Sequence, residues 1–304
     1  MEKLLQKIQG KLSKDNFLSE IAKKLSGTEF NSLMLEIFKI RAAKVKPALL
    51  LREFKNNRFV GPATISTIKN RELALEWLKY ADKKGFSAIT LSPVSPLGTC
   101  SSIGTVSQNK VISSLRGTEV VADATNVLAL KIAQDLEGIT DKKQVHKYST
   151  VHRHIRSQFF NNPDLSAHFD IFCMASGGFD TGSYAFVLQQ LNEHIAIILD
   201  LLIISFSEAD LYLKFFIKDD NNFLVTRLNQ PDQVWSNMRF DFVTDLENKY
   251  YQVIQFKIFI SLNGTEINIA DGGVVDWTQQ LSGNKKHRTI ISGVGIELAQ
   301  KLMD

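Results

Sequence analysis

Arg156 ends the alternating run Val151-His152-Arg153-His154-Ile155-Arg156. On an extended segment its planar guanidinium can hold two phosphate or carboxylate oxygens at once. Arg116 and Arg153 are the further cations that could join it in activating a carboxylate at phosphorus, chemistry that needs preorganised positive charge and usually Mg2+. The plain alternative for Arg156 is an exposed strand residue paired with Asp170. His152 and His154 alternate onto one strand face, and His168 could lie opposite them, which has the outline of a metal site. No carboxylate or cysteine stands at ligand spacing, so no metal is expected. Cys100, in Gly98-Thr99-Cys100-Ser101-Ser102, sits in a polar loop where a nucleophile could be placed. A Cys100-dependent hydrolase or transferase is therefore one function to weigh, and an inert small residue the other. Residues 98–110, with Arg116-Gly117-Thr118-Glu119, are polar for a position between core elements and are expected to line a cleft. Adjacent side chains on a strand point to opposite faces, so of Tyr250 and Tyr251 one should be core and one should line the cleft. Gly272-Gly273 and Gly293/Gly295, taken singly, are turn and close-packing glycines. No GxGxxG or GxxxxGK[ST] pattern follows a strand, which disfavours Rossmann and P-loop nucleotide sites.

The elements that must carry these residues are legible in the periodicities. Apolar residues in the first 45 positions recur at helical spacing and break at Gly10 and Ser26-Gly27, giving two or three short helices that Pro47 is expected to close. Residues 48–60 are strand-like in part. Residues 71–84 form an amphipathic helix capped by Gly85, followed by a strand at 87–91. A helix at 123–132 begins near Asp123. Extended segments are expected at 151–158 and 168–174, a long apolar helix at 183–202 and a strand at 211–217. Residues 250–269 contain two strands around Asn263-Gly264, the strongest hairpin signal in the chain. A last helix covers 296–303. The sum is α+β: an antiparallel (mixed) sheet paired by hairpins with helices packed on one side. A small N-terminal helical module (1–46) precedes the core (47–304).

A chain of 304 residues with 44% apolar content can bury a substantial core. The longest apolar run, residues 194–206, is interrupted by Asp200 and is shorter than the ~20 residues that cross a bilayer. It reads as a buried helix, and no membrane partner is expected. The N-terminus lacks the apolar stretch of a secretory signal. Two cysteines 73 positions apart form no disulfide framework, so the expected compartment is the cytoplasm. Residues 1–46 carry ten Lys/Arg against five Asp/Glu, and the rest 26 against 27. The excess positive charge is therefore confined to the N-terminal arm, which could meet RNA or an acidic partner or simply present a solvated helical face.

In chain order the motifs form a succession. A helix ending at Lys84 leads to Gly85-Phe86-Ser87-Ala88-Ile89 and Pro93, and Val121-Ala122-Asp123-Ala124-Thr125 opens the next helix. His154-Ile155-Arg156-Ser157-Gln158 and His168-Phe169-Asp170-Ile171-Phe172 flank a loop, and Asp180 precedes the long helix and strand. Tyr250-Tyr251 enters a strand, Gly272-Gly273-Val274-Val275-Asp276 makes a turn, and Gly293-Val294-Gly295-Ile296-Glu297-Leu298 ends the series. This succession, from about Trp77 to Met303, resembles the catalytic core of class II aminoacyl-tRNA synthetases of the histidyl type. That family includes non-catalytic paralogues that regulate ATP phosphoribosyltransferase. The resemblance implies that Asp123 and Thr125, with Tyr250 or Tyr251, hold a ligand's amino group, and that Arg156 grips the α-phosphate of ATP. Arg116, Glu119, Arg153, His168, Gly272, Gly273, Gly293 and Gly295 complete the candidate ligand site. The departures are equally specific. The arginine that precedes the acid in the family's Arg-Pro-acid-x-Thr segment is missing, Gln158 replaces an acid tied to adenine recognition, and Leu298 stands where an ATP-binding arginine belongs. With only residues 299–304 after the last motif, a full tRNA synthetase is not expected. The expected function is a catalytically reduced paralogue that binds an amino acid or nucleotide-like small molecule as a regulatory or binding subunit. The alternative is an adenylate-forming ligase using ATP and Mg2+. The resemblance also implies a homodimer.

Overall fold

Residues 71–84 place Leu73, Ala74, Trp77 and Ala81 on one face, and all four are buried in α5 (Thr67–Lys83) of a computed structural model. The structure describes residues 2–12, 14–157, 166–206, 210–262 and 264–303. Gln158, the loop it opens, and Asn263 of the expected hairpin turn lie outside them.

Four helices precede α5: α1 (Glu2–Leu12), α2 (Phe17–Lys24), α3 (Gly27–Ala42) and α4 (Pro47–Asn56). A capping box starts α3, in which Ser26 Oγ accepts the Glu29 N–H at 3.3 Å and the Glu29 carboxylate accepts the Ser26 N–H at 2.8 Å. The reading of residues 48–60 as strand-like is corrected by α4. Pro47 is its first residue and begins a helix instead of closing a module, because a missing N–H and a fixed φ suit the first turn. None of these four helices contains a buried residue.

After α5, Gly85 (φ +91°) turns the chain into β1 (Ser87–Ala88), shorter than the strand expected at 87–91. There follow β2 (Val94–Pro96), α6 (Thr99–Ser102), β3 (Thr118–Val120), α7 (Ala124–Asp135), β4 (Val145–Ile155), β5 (His168–Phe179), α8 (Ala185–Ser205) and β6 (Asp210–Ile217). The chain ends with α9 (Asn222–Leu228), β7 (Arg239–Thr244), β8 (Tyr251–Leu262), β9 (Thr265–Val275), α10 (Trp277–Ser282), β10 (His287–Val294) and α11 (Ile296–Met303).

Among the described residues one eight-stranded sheet runs β1-β4-β5-β10-β9-β8-β6-β7, with β2 and β3 pairing separately. Its pairings are antiparallel except at the two edges, where β1 joins β4 and β6 joins β7 in parallel. Helices cover both faces, not one as expected. The pleat of β5 sends Phe172 and Met174 to the core shared with α5, α8 and α11, and Cys173 and Ala175 to a second core under α7 and α10. A central strand that is apolar on both sides has to be covered on both sides. Trp77 packs edge-on against Phe172 at 5.7 Å. By length and composition α8, with 21 residues, could cross a membrane, but Leu191, Ile195, Ile198 and Leu202 are buried within the first core. Inside that helix His194 meets Ser176 Oγ at 2.9 Å and Ser292 Oγ at 2.7 Å. Burial pushes His194 down to about 3, so it is neutral.

Candidate functional site

On the α7 face of the sheet lies a cleft of about 470 Å³, lined by α6, the start of α7, the end of β4 and the facing sides of β5, β8, β9 and β10. Its polar chemistry comes from Asp123, Asp271, Arg156, Lys110, Thr125, Tyr250 and Tyr251.

Asp123 is placed by its role as N-cap. Its Oδ1 accepts the Thr125 N–H at 3.0 Å and the Thr125 hydroxyl at 2.7 Å, satisfying a donor that the helix start would otherwise leave open. The Ala124 N–H donates to His154 Nε2 at 2.9 Å, which ties α7 to β4. With Nε2 accepting, the imidazole proton must sit on Nδ1. Burial pushes His154 down to about 3, so the ring is neutral. Arg156 donates from Nε to the Ala122 carbonyl at 3.1 Å and holds Nη2 at 3.9 Å from the free oxygen of Asp123. The guanidinium lies over the Phe169 ring at 5.5 Å. It is thus fixed at the mouth of the α7 terminus beside a carboxylate.

Asp271 stands on β9 in register with Lys257 of β8 and Gly293 of β10. Lys257 is drawn into an ion pair with Glu247. Asp271 therefore makes no side-chain hydrogen bond or ion pair among the described residues, although it is half-buried in the cleft. Desolvation pushes its carboxyl up to about 6, with the charge of Asp123 adding to the rise and Lys257 and Arg156 opposing it. Tyr251 is 3% exposed and belongs to the core under α7 and α10, whereas Tyr250 is only partly buried, so the pair divides between core and cleft as expected, although Tyr251 also borders the cavity and the ring centroids lie 4.5 Å apart. Burial raises both phenols, Tyr251 most strongly. Cys100 is 2% exposed, and its thiol is pushed up to about 12 by burial and then by Asp123 and Glu119. A thiolate nucleophile is strongly disfavoured there.

The cleft therefore gathers Cys100, Lys110, Asp123, Thr125, His154, Arg156, Tyr250, Tyr251, Gly293 and Gly295 from the residues singled out in the sequence. The others sit elsewhere. Glu119 is fully buried and accepts the N–H groups of Gly98 (2.7 Å) and Cys100 (2.9 Å), so it shapes the loop from beneath. Arg116 is exposed in a turn with φ +65°. Arg153, not Arg156, pairs with Asp170 (3.2 Å), and it also reaches Glu297 (2.7 Å). Arg153 Nε donates to His168 Nδ1 at 2.9 Å, so His168 Nε2–H donates to the Gly61 carbonyl at 2.7 Å. His168 pairs with Ile155 in the ladder and is out of phase with His152 and His154, which removes the supposed histidine face. Among the described residues no three His, Cys, Asp or Glu side chains gather as a metal-ligand set. Gly272 and Gly273 are packing residues: a Cβ on Gly272 would lie 2.7 Å from the Phe256 ring, and one on Gly273 2.3 Å from the Ile254 carbonyl. Sequence reasoning placed Lys110 in the polar segment expected to line a cleft, where it stands, but missed Asp271. The signal for Asp271 was a charge inside an otherwise apolar strand, Ile269-Ala270-Asp271.

Comparison with solved structures places this architecture. Histidyl-tRNA synthetase of S. aureus superposes with a TM-score of 0.59 at 12% identity, over 77% of this chain and 65% of that one. The fold is that of a class II synthetase core. An ATP phosphoribosyltransferase regulatory subunit/histidyl-tRNA synthetase from Bacillus halodurans gives 0.58 at 13% identity, covering 81% of this chain and 82% of that chain. A structure described as the RNA-binding domain of threonyl-tRNA synthetase from Cryptosporidium parvum gives 0.60 at 8% identity, covering 78% of this chain and 64% of that chain. This chain thus spans just under two thirds of the S. aureus enzyme. No family model and no curated protein matches the sequence.

The residues present fit ATP poorly. Leu298 supplies no cation, and Asp123 and Asp271 would both face a polyphosphate.

Proposed function

We propose that this chain is a catalytically reduced, synthetase-like protein that binds an amino acid in the cleft and acts as a regulatory or binding subunit. The observation that carries this reading is the pair of Asp123 and Arg156, held 3.9 Å apart at the rim of one cavity. Asp123 is fixed by Thr125, and Arg156 by Ala122. Such a preorganised anion beside a cation complements the ammonium and carboxylate of a zwitterion, and preorganisation lowers the cost of binding it. Lys110 adds a second cation on the carboxylate side of this scheme. A homodimer in the cytoplasm belongs to the same proposal.

The experiment is a thermal-shift series with the twenty amino acids, each with and without Mg-ATP, since a ligand that binds only the folded state raises the midpoint by linkage. The expected result is stabilisation by an amino acid alone. Stabilisation that requires ATP, together with amino-acid-dependent ATP–pyrophosphate exchange, would replace this reading with an adenylate-forming ligase. No shift with any amino acid would overturn both.

A further inference from the structure

Asp271 has no counterpart in the zwitterion scheme, and that surplus is informative. A carboxylate on the lining of a cleft, without a protein partner, is costly unless something else neutralises it. The cation nearest in the sheet, Lys257, stands directly across the ladder but is turned to Glu247. The other charges that bear on Asp271 are Asp123 and Glu247, which repel it, and Arg156, which is set beside Asp123; the Tyr250 and Tyr251 phenols and the Cys173 thiol are the remaining titratable groups near it, and all three are neutral. The cleft thus holds two carboxylates, one already set beside a guanidinium and one waiting for a cation.

Resting on the amino-acid reading of this cleft, we infer that its ligand is an amino acid with a second positive charge at the end of its side chain. The α-ammonium sits at Asp123, the carboxylate at Arg156 and Lys110, and the side-chain cation at Asp271. Every charged lining group then has an opposite partner, and the aliphatic stem of the ligand lies against Tyr250 and Tyr251. The raised carboxyl of Asp271 agrees with this, because a ligand cation favours its ionised form and would bring it back towards the ordinary range.

The test is calorimetric titration of the full chain at pH 7.5 with L-lysine and L-arginine, and with their neutral isosteres L-2-aminoheptanoic acid and L-citrulline. The expected result is binding of at least one basic amino acid about tenfold or more tighter than its isostere, the scale of a charge-assisted contact. Asp271→Asn should abolish that preference while leaving the neutral isostere unchanged. At pH 5 the preference of the unaltered protein should shrink as Asp271 takes up a proton. Equal binding of basic and neutral ligands would overturn the inference and leave the amino-acid reading standing. So would a preference for basic over neutral ligands that persists in Asp271→Asn. Failure of every amino acid to bind would overturn the amino-acid reading itself.

Discussion

Asp271 and two of the buried histidines, His154 and His194, respond to acid in opposite senses. The carboxyl of Asp271 stands near 6 in the fold, above its ordinary value, so the native state binds its proton more tightly than the unfolded chain does. Its contribution to stability is fully present below about pH 4 and is lost as pH rises to about 6. Asp271→Asn should therefore stabilise the protein at pH 7.5 by ~1–2 kcal/mol, less than the whole shift implies because the group opens onto solvent. Urea denaturation of the two proteins at pH 7.5 decides it, and an unchanged midpoint would contradict the desolvation described above. His154 and His194 are both held down near 3, so stability present above their ordinary value of 6.5 is lost as pH falls below it. At pH 5 each costs ~2 kcal/mol and Asp271 returns ~1, for a net loss of about 3 kcal/mol relative to pH 7. A stability curve flat between pH 7 and 5 would contradict the neutral buried imidazoles. Arg153 shows why a sequence misassigns charges. Arg153 in β4 and Arg156 just beyond its end are alike in sequence, and only the folded arrangement reveals that Arg153 faces Asp170 and Glu297 while Arg156 reaches the start of α7. Arg153→Met should cost roughly 3 kcal/mol by stranding two carboxylates, and Glu297→Met in the same chain should restore part of it. If the double variant unfolds at the same denaturant concentration as the single one, the pairing contributes nothing.

At the scale of elements, periodicity located α5, α7, α8, α11 and the strands from β4 to β6, because each repeats its apolar residues at its own period over several turns or pleats. It failed at α4, where a Leu-rich stretch after a proline fits strand and helix equally and only the cap chemistry of Pro47 distinguishes them. It also left β7 unnoticed, an edge strand whose burial alternates weakly. The candidate cleft was half visible. Asp123, Thr125 and Arg156 lie in elements of clear period, whereas Asp271 is brought to them by pairing across β8 and β10 that no local pattern encodes. The glycine pair on β9 makes the same point about packing. Gly272→Ala should lower stability by ~3 kcal/mol, since its new methyl would lie 2.5 Å from the Ile291 carbonyl as well as against Phe256, with backbone on one side unable to yield. A midpoint within error of the unaltered protein would show that β9 and β10 can separate there.

Across the whole molecule, apolar surface is unevenly spread. Among the described residues, 13 of the 22 exposed large apolar side chains lie within residues 2–60, and the first four helices contain no buried residue and touch the body at points such as Asn31 with Gly117. Removing residues 1–56 should leave the thermal midpoint of the remainder within about 3 °C, the change that ~1 kcal/mol makes in a body of this size. A collapse in the midpoint would instead make the arm part of the folding unit. The α7 terminus ties the cleft to the body differently. One oxygen of Asp123 closes the first turn of the helix, and the other faces the cavity. Occupancy is therefore mechanically coupled to fraying. A ligand that settles on Asp123 should slow hydrogen exchange at the Ala124 and Thr125 amides, so that α7, buried beneath the cleft, keeps a record of whether the cleft is filled.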